Sequence, residues 1–181
     1  METFERLDLI TYRRMNNQPI HIVMTPTRNE AWVIRAFLES TTRWADYVII
    51  CDQFSTDGTR DIVAQYAAQT TSLTEYRPFA LTEKKRAEVI LIDNPNTEFN
   101  EAERQRILVA KAREVAAGRD TLLWGLDADE ILAANAFETD DWQKILHSKP
   151  GAVFWFHWAQ LTHDKQHYYN NRDPYPWLFH D

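Results

Sequence analysis

Three carboxylates, Asp127, Asp129 and Glu130, crowd directly behind the apolar run TLLWGL (121–126). Like charges gathered where a buried element ends add nothing to stability, so the pattern asks for a ligand. Asp127 and Asp129 are two residues apart, and in extended backbone side chains at that spacing project to the same side. Two carboxylates so placed repel each other unless a cation lies between them. Hard oxygen ligands of this kind suit Mg²⁺ or Mn²⁺, ions that complete their shells with water and substrate phosphates. The plainer reading is that Asp127 caps a following helix while Asp129 and Glu130 are solvated. Local spacing alone leaves the two readings open.

Two further polar clusters stand in the same kind of place. TPTRNE (25–30) follows HIVM, and CDQFSTDG (51–58) follows YVII. The β-branched runs at 21–25 and 47–51, the latter followed by Asp52, read as buried parallel strands. VILID (89–93) and TLLWGLD (121–127) make a third and fourth, and AVFWFHWA (152–159) a fifth. Helical patterning fills the gaps. Val33, Ile34, Phe37 and Leu38 recur at spacings of three and four within residues 29–40. STDG supplies polar caps for a helix over about 59–69. The run 101–117 stops at Gly118, a good C-cap. Alternating strands and helices imply one α/β domain with a mostly parallel sheet. In such sheets ligands sit beyond the carboxyl ends of the strands, where all three clusters fall. Residues 70–88 are long for an αβ connection and leave room for a short extra element.

Other nucleotide chemistries use similar strings and fail here. A Walker B segment needs the loop G-x-x-x-x-G-K-[ST], which Gly58, Gly118, Gly125 and Gly151 cannot supply. The D-x-D-x-[TV] pattern of haloacid-dehalogenase phosphatases belongs after the first strand, whereas here Ile131 follows Glu130 after the fourth. A net charge of -7 argues against a broad basic face and a nucleic-acid partner. The lone cysteine, Cys51, rules out an internal disulfide and suits a reducing cytoplasm. Met1 leads into ETFERLDLITYRR, which lacks the apolar core of a signal peptide. The apolar stretch GAVFWFHWAQLTH (151–163) is shorter than the ~20 residues a bilayer span requires. A soluble cytoplasmic protein is expected, with association at a membrane surface left open.

Taken together, TRNEAWVIRAFLESTTRWADYVIICDQFSTDGTRDI, then EAERQRILVAKA, then LLWGLDADEIL resemble a family 2 glycosyltransferase over roughly residues 20–132. The resemblance implies a GT-A fold, a Rossmann-like nucleotide-diphospho-sugar transferase architecture with flanking helices. It implies a metal-dependent, inverting enzyme using Mn²⁺ or Mg²⁺ that moves a sugar from a nucleotide-sugar donor to an acceptor hydroxyl. The acceptor could be a saccharide, a lipid-linked molecule or a protein. By the same resemblance Thr27, Asn29 and Glu30 line the nucleotide pocket, and Asp52 hydrogen-bonds the base or ribose. Asp57 orders its loop, or serves only the turn and helix start. Arg104 matches the Arg of an Arg-Asn pair near the donor, with Gln105 in place of the Asn. Asp127 contacts ribose or sugar, and Asp129, with Asp127, holds the metal.

The acceptor hydroxyl also needs a general base within hydrogen-bond reach. The family takes it from an acidic motif well downstream of the two aspartates. TDD (139–141) lies too close, and no pattern chooses among Asp164, Asp173 and Asp181. His157, His163 and His180 are candidates for a histidine in the metal shell, each also readable as a core residue. Four of the seven tryptophans, Trp142, Trp155, Trp158 and Trp177, lie beyond residue 140; with Tyr168 and Tyr169 they could stack on sugars or form core. The aromatic ending WLFHD reads as an interrupted element. The expectation is therefore a single domain, 1–181, that lacks a C-terminal acceptor-binding portion and exposes apolar surface near Trp177 to Phe179. The alternative function is a nucleotide- or sugar-binding module without turnover.

Overall fold

The computed structural model describes residues 18–72, 86–162, 167–170 and 173–181, with the backbone alone for 70–72. Six strands form one sheet in the order β3-β2-β1-β4-β8-β5. β1 (Ile20–Thr27), β2 (Tyr47–Asp52), β3 (Glu88–Asp93) and β4 (Thr121–Gly125) are mutually parallel. β8 (Tyr175–His180) runs antiparallel between β4 and β5 (Val153–Phe156). A separate hairpin pairs β6 (Ala159–Leu161) with β7 (Tyr168–Asn170). The expected fifth strand is thus two, one in the main sheet and one in the hairpin.

Successive side chains of a strand face opposite ways, so each sheet face builds its own core. On one face Val23, Val48, Ile50, Leu122, Trp124 and Leu178 pack with helices α1 (Ile34–Thr41), α2 (Thr59–Ser72) and α4 (Asp140–Leu146). Trp124 is fully buried in an aromatic box. His21 and Trp142 stack on it, at 5.8 Å each between centroids, and Trp44 meets it edge-on at 5.2 Å. Among the described residues the other face carries one helix, α3 (Glu101–Ala116), whose Leu108, Ala112 and Ala116 rest on Ile22, Met24, Ile49, Cys51 and Leu123.

Several ends differ from expectation for identifiable reasons. α1 begins at Ile34 rather than residue 29, because the N–H groups of 29–31 are taken by another loop (below). α3 starts at its Asn100 cap, whose side chain accepts from Glu103 N–H at 3.1 Å. Its left-handed C-cap is Ala117 (φ 51°), one residue before Gly118. TDD is the start of α4, with Thr139 Oγ1 accepting from Trp142 N–H at 3.2 Å. Most of the long connection 70–88 lies outside the described residues.

Residues 177–180 of the ending WLFHD belong to β8. Leu178 is fully buried within β8, and Trp177 packs against the core; Phe179 remains 41% exposed. His180 anchors the strand end, its Nδ1 2.8 Å from Ser148 Oγ and its Nε2 2.5 Å from Asp120 Oδ1. Arg113 clasps Asp181 through two hydrogen bonds, 2.8 and 2.6 Å. No helix among the described residues is long and apolar enough to cross a membrane.

Candidate active site

Because β1, β2 and β4 are parallel neighbours, their carboxyl ends share one edge of the sheet. All three polar clusters therefore meet there. Two of them are joined by hydrogen bonds across more than twenty residues of sequence. Asn29, in the left-handed region at φ 61°, donates its N–H to Ser55 Oγ (2.9 Å), while its Oδ1 accepts from Thr56 N–H (2.8 Å). Glu30 N–H reaches Thr59 Oγ1 at 2.7 Å, and Ala31 N–H reaches Asp57 Oδ2 at 2.9 Å. Asp57 also accepts from the N–H and hydroxyl of Thr59, which hold its carboxyl below the ordinary value, hydroxyl first. Asp57 and Asn29 thus serve the joint between the loops, as the turn-and-helix-start reading of Asp57 expects.

Thr59 is the buried centre of that joint. Thr59→Val keeps its shape and removes both hydroxyl bonds, so it should cost about 1–3 kcal/mol. Urea titration of the two proteins checks this, and an unchanged midpoint would mean that the loops are held together elsewhere.

Asp52 is buried, accepting from Ser55 N–H at 3.1 Å and from the Thr27 hydroxyl at 3.3 Å. Thr27 is buried with it. Next in sequence, buried Gln53 donates through Nε2 to the carbonyls of Asn96 and Glu98, both at 2.9 Å, and so fixes the loop that leads into α3.

The third cluster is not extended, as its spacing alone suggested; the chain turns at 128–129. Glu130 N–H donates to Asp127 O (3.0 Å), and Asp127 N–H donates to Glu130 Oε2 (2.9 Å). Ala128 is buried, whereas Asp127 and Asp129 are exposed. No helix follows for Asp127 to cap. Burial pushes the Glu130 carboxyl up to about 7 against that N–H bond, with the charges of Asp127 and Asp129 adding to the rise. Glu130 locks the turn, a part the sequence left unassigned; its place three residues after Asp127 was the available signal.

Burial within the cleft, then the charges of Asp129 and Glu101, raise the Asp127 carboxyl, while Arg104 opposes them. Glu30 is raised too, first by burial and then by Asp129, Asp127 and Asp57, against a hydrogen bond from Trp32 Nε1 (3.1 Å). The structure therefore brings Glu30, Asp127 and Asp129 together, with exposed Trp32 beside them, a neighbour that sequence reasoning did not single out. Arg104 sits at the start of the buried stripe of α3, its guanidinium 5.1 Å above the Phe99 ring and 3.3 Å from Glu101 Oε2. Its charge also acts on Cys51, whose thiol burial pushes up to about 11. Arg104 Nε is buried and makes no hydrogen bond among the described residues, an orphaned donor at the ligand edge.

Among the described residues no three His, Cys, Asp or Glu side chains gather where they could hold a metal ion. The donor set fits an open site: two exposed carboxylates on one turn, mutually repelling, of the chemistry that hard divalent ions take together with water and phosphate. His157 and Asp173 lie at this same edge, after β5 and before β8. His180 and Asp181 do not. They end β8 opposite the start of β4, and both are engaged there, so neither can serve the Asp127 end. His163 and Asp164 lie outside the described residues.

Residues 22–139, more than half of the chain, match the family described as Glycosyl transferase family 2. Among solved structures, the crystal structure of mannosyl-3-phosphoglycerate synthase from Rubrobacter xylanophilus is similar, with 16% identity and a TM-score of 0.47. The likeness covers 83% of this chain and 43% of that one, so the chain spans less than half the length of that relative. None of the curated proteins matches it.

Proposed function

The chain belongs to glycosyl transferase family 2, whose fold is GT-A, and from that premise we propose that its single domain transfers a sugar from a nucleotide-sugar donor to an acceptor hydroxyl. The observation that carries the reading is that the polar clusters bearing Glu30, Asp52 and Asp127 follow the carboxyl ends of the adjacent parallel strands β1, β2 and β4. Thr27, Asn29 and Asp52 shape the nucleotide side of the pocket. Arg104, whose charge acts on Asp127, would offset the charge of the anionic donor.

Asp129 and Asp127 would hold Mn²⁺ or Mg²⁺, with His157 the described histidine at that edge. When bound, the ion offsets the charge that develops on the departing nucleoside diphosphate. In a single inverting displacement the acceptor oxygen bonds to the anomeric carbon as the bond to the diphosphate oxygen breaks. The nucleoside diphosphate leaves with the electron pair, and the acceptor proton passes to a carboxylate, for which Asp173 is the described candidate. The test is release of UDP or GDP from nucleotide-sugars with Mn²⁺ present. Binding without release of either would favour a module that does not turn over.

Asp52 gives a sharper check on the nucleotide side. Its Oδ2 orders Ser55 and its Oδ1 accepts from Thr27. Asp52→Asn should weaken UDP or GDP binding by ~1.5–3 kcal/mol, the worth of one hydrogen bond to a charged group, with metal or without. A loss confined to metal-containing titrations would move Asp52 into the metal shell.

A further inference from the structure

Among the described residues α3 is the one helix on its face of the sheet, and the cluster beneath it spans β1, β2, the flank of β3 and the near side of β4, leaving β8 and β5 outside it. Beyond it, register aligns Leu123, Phe179 and Val153 in one row across β4, β8 and β5. Phe179 and Val153 are 41% and 45% exposed. Between this row and α3 runs a cleft of about 600 Å³. Asp127 and Glu101 stand at its upper end, at the candidate active site, and the Arg113–Asp181 pair closes its lower end. It therefore follows the whole of β4, roughly 15 Å at ~3.3 Å per residue.

Gly125 forms part of its floor, on the same side of β4 as Leu123 and two residues before Asp127. Glycine inside a strand weakens it, and often marks a place where a ligand comes close. Here neither backbone nor packing demands it. Its φ is not in the left-handed region, and a Cβ built there would meet nothing within 4 Å. The missing side chain leaves room in the cleft and nowhere else. The charge arrangement selects the occupant. Carboxylates guard the mouth, and the one cation at the far end, Arg113, is bound to Asp181, so a diphosphate is disfavoured along the groove. The floor and the β8–β5 wall, with Leu123, Val153, Trp177 and Phe179, are apolar, while the α3 wall presents Glu101 and Gln105 beside Val109, a two-sided lining that suits an amphiphile.

We propose that this groove holds the apolar stem of an amphiphilic acceptor, with its hydroxyl-bearing head at the Asp127 end, and that Gly125 sets the width admitted. The proposal rests on the glycosyltransferase reading for calling the occupant an acceptor; continuity of the groove with Asp127 is what ties the two. The occupant is a single molecule with a hydroxylated head and an alkyl or aryl tail.

The probe is octyl glucoside below its micellar concentration, titrated calorimetrically into the full chain without donor, with glucose as the control. Wild type should bind octyl glucoside and not glucose. Gly125→Ile, which fills the open space with a strand-favouring side chain, should bind roughly tenfold more weakly, the worth of about two buried methylenes. Val153→Lys, on the exposed far wall, should weaken binding in the same direction and guards against a folding defect in the first variant; circular dichroism verifies both. Equal binding by all three proteins, equal binding of glucose, or no binding by wild type because the groove is already filled, would each overturn the proposal. Nucleotide release is measured separately on wild type alone. Its failure would remove the enzymatic reading while octyl glucoside binding still reports on the groove.

Discussion

Asp129→Ala should abolish the Mn²⁺-dependent gain in affinity for UDP or GDP, leaving metal-free affinity and thermal unfolding where they were. The expectation follows from what the side chain touches. Asp129 is exposed on the turn after β4, and no hydrogen bond of the fold depends on its carboxylate among the described residues. Its felt influence is electrostatic: its charge raises both Asp127 and Glu30. Removing it should therefore relieve repulsion in the free protein, and stability should change by no more than ~0.5 kcal/mol. With the charge gone, a divalent ion loses one of two carboxylates and the departing diphosphate loses its counter-charge. Nucleotide release from a donor should fall by on the order of 10²–10³, the scale of losing one transition-state electrostatic partner. Asp129→Asn, which keeps an oxygen ligand but not the charge, should fall between. Calorimetry that found the metal-dependent affinity intact in Asp129→Ala would sink the assignment. Asp127→Ala should also damage binding, and because both hydrogen bonds that Asp127 makes in the turn use its backbone, the turn should survive the substitution.

What the sequence made legible was what local pattern alone determines. The parallel strands β1, β2 and β4 are short and almost wholly buried, and β3 carries the β-branched run EVILID, so their apolar runs are continuous. Their polar ends then had to meet on one edge, which is why Asp52, Asp127 and Glu30 could be named in advance. Features set by distant partners were not legible. α1 starts late because Ser55, Thr59 and Asp57 claim the N–H groups of Asn29, Glu30 and Ala31. Nothing within residues 29–40 reports that. β8 contains Pro176 and lies at the chain's last residues, yet it slots between β4 and β5, more than fifty residues from its partner β4. Thr139 carried a readable cap signature, but its two aspartates were weighed as chemistry before they were weighed as a helix start. The turn at Asp127 shows the same limit at the site itself. Spacing suggested extended backbone, whereas Glu130 closes the turn and orients both aspartates.

Trp124→Ala should be the most destabilising single change, costing about 3–5 kcal/mol. Trp124 has no exposed surface, and four aromatic rings, His21, Trp44, Trp142 and Phe156, pack on it from β1, the turn after α1, α4 and β5. Its Nε1–H donates to His21 Nδ1 at 3.2 Å, so truncation leaves both a large cavity and a buried imidazole nitrogen without that donor. The walls belong to separate elements pinned by their own strands and helices, which limits how far they can collapse into the space. For a chain of this length the loss should lower the unfolding midpoint by on the order of 10 °C. Trp124→Phe separates the two contributions, because it retains most of the ring burial and removes only the indole donor; it should cost less than half as much. The effect should extend to function. Trp124 and Gly125 are consecutive on β4, one facing the aromatic core and the other the groove, and Asp127 follows two residues later. A strand loosened on its core face no longer holds the Asp127–Glu130 turn against Glu30 and Arg104. Nucleotide release by Trp124→Ala should therefore decline well below its unfolding temperature. If activity instead tracked the folded fraction alone, the turn would be held by its own reciprocal hydrogen bonds, independently of the box beneath it.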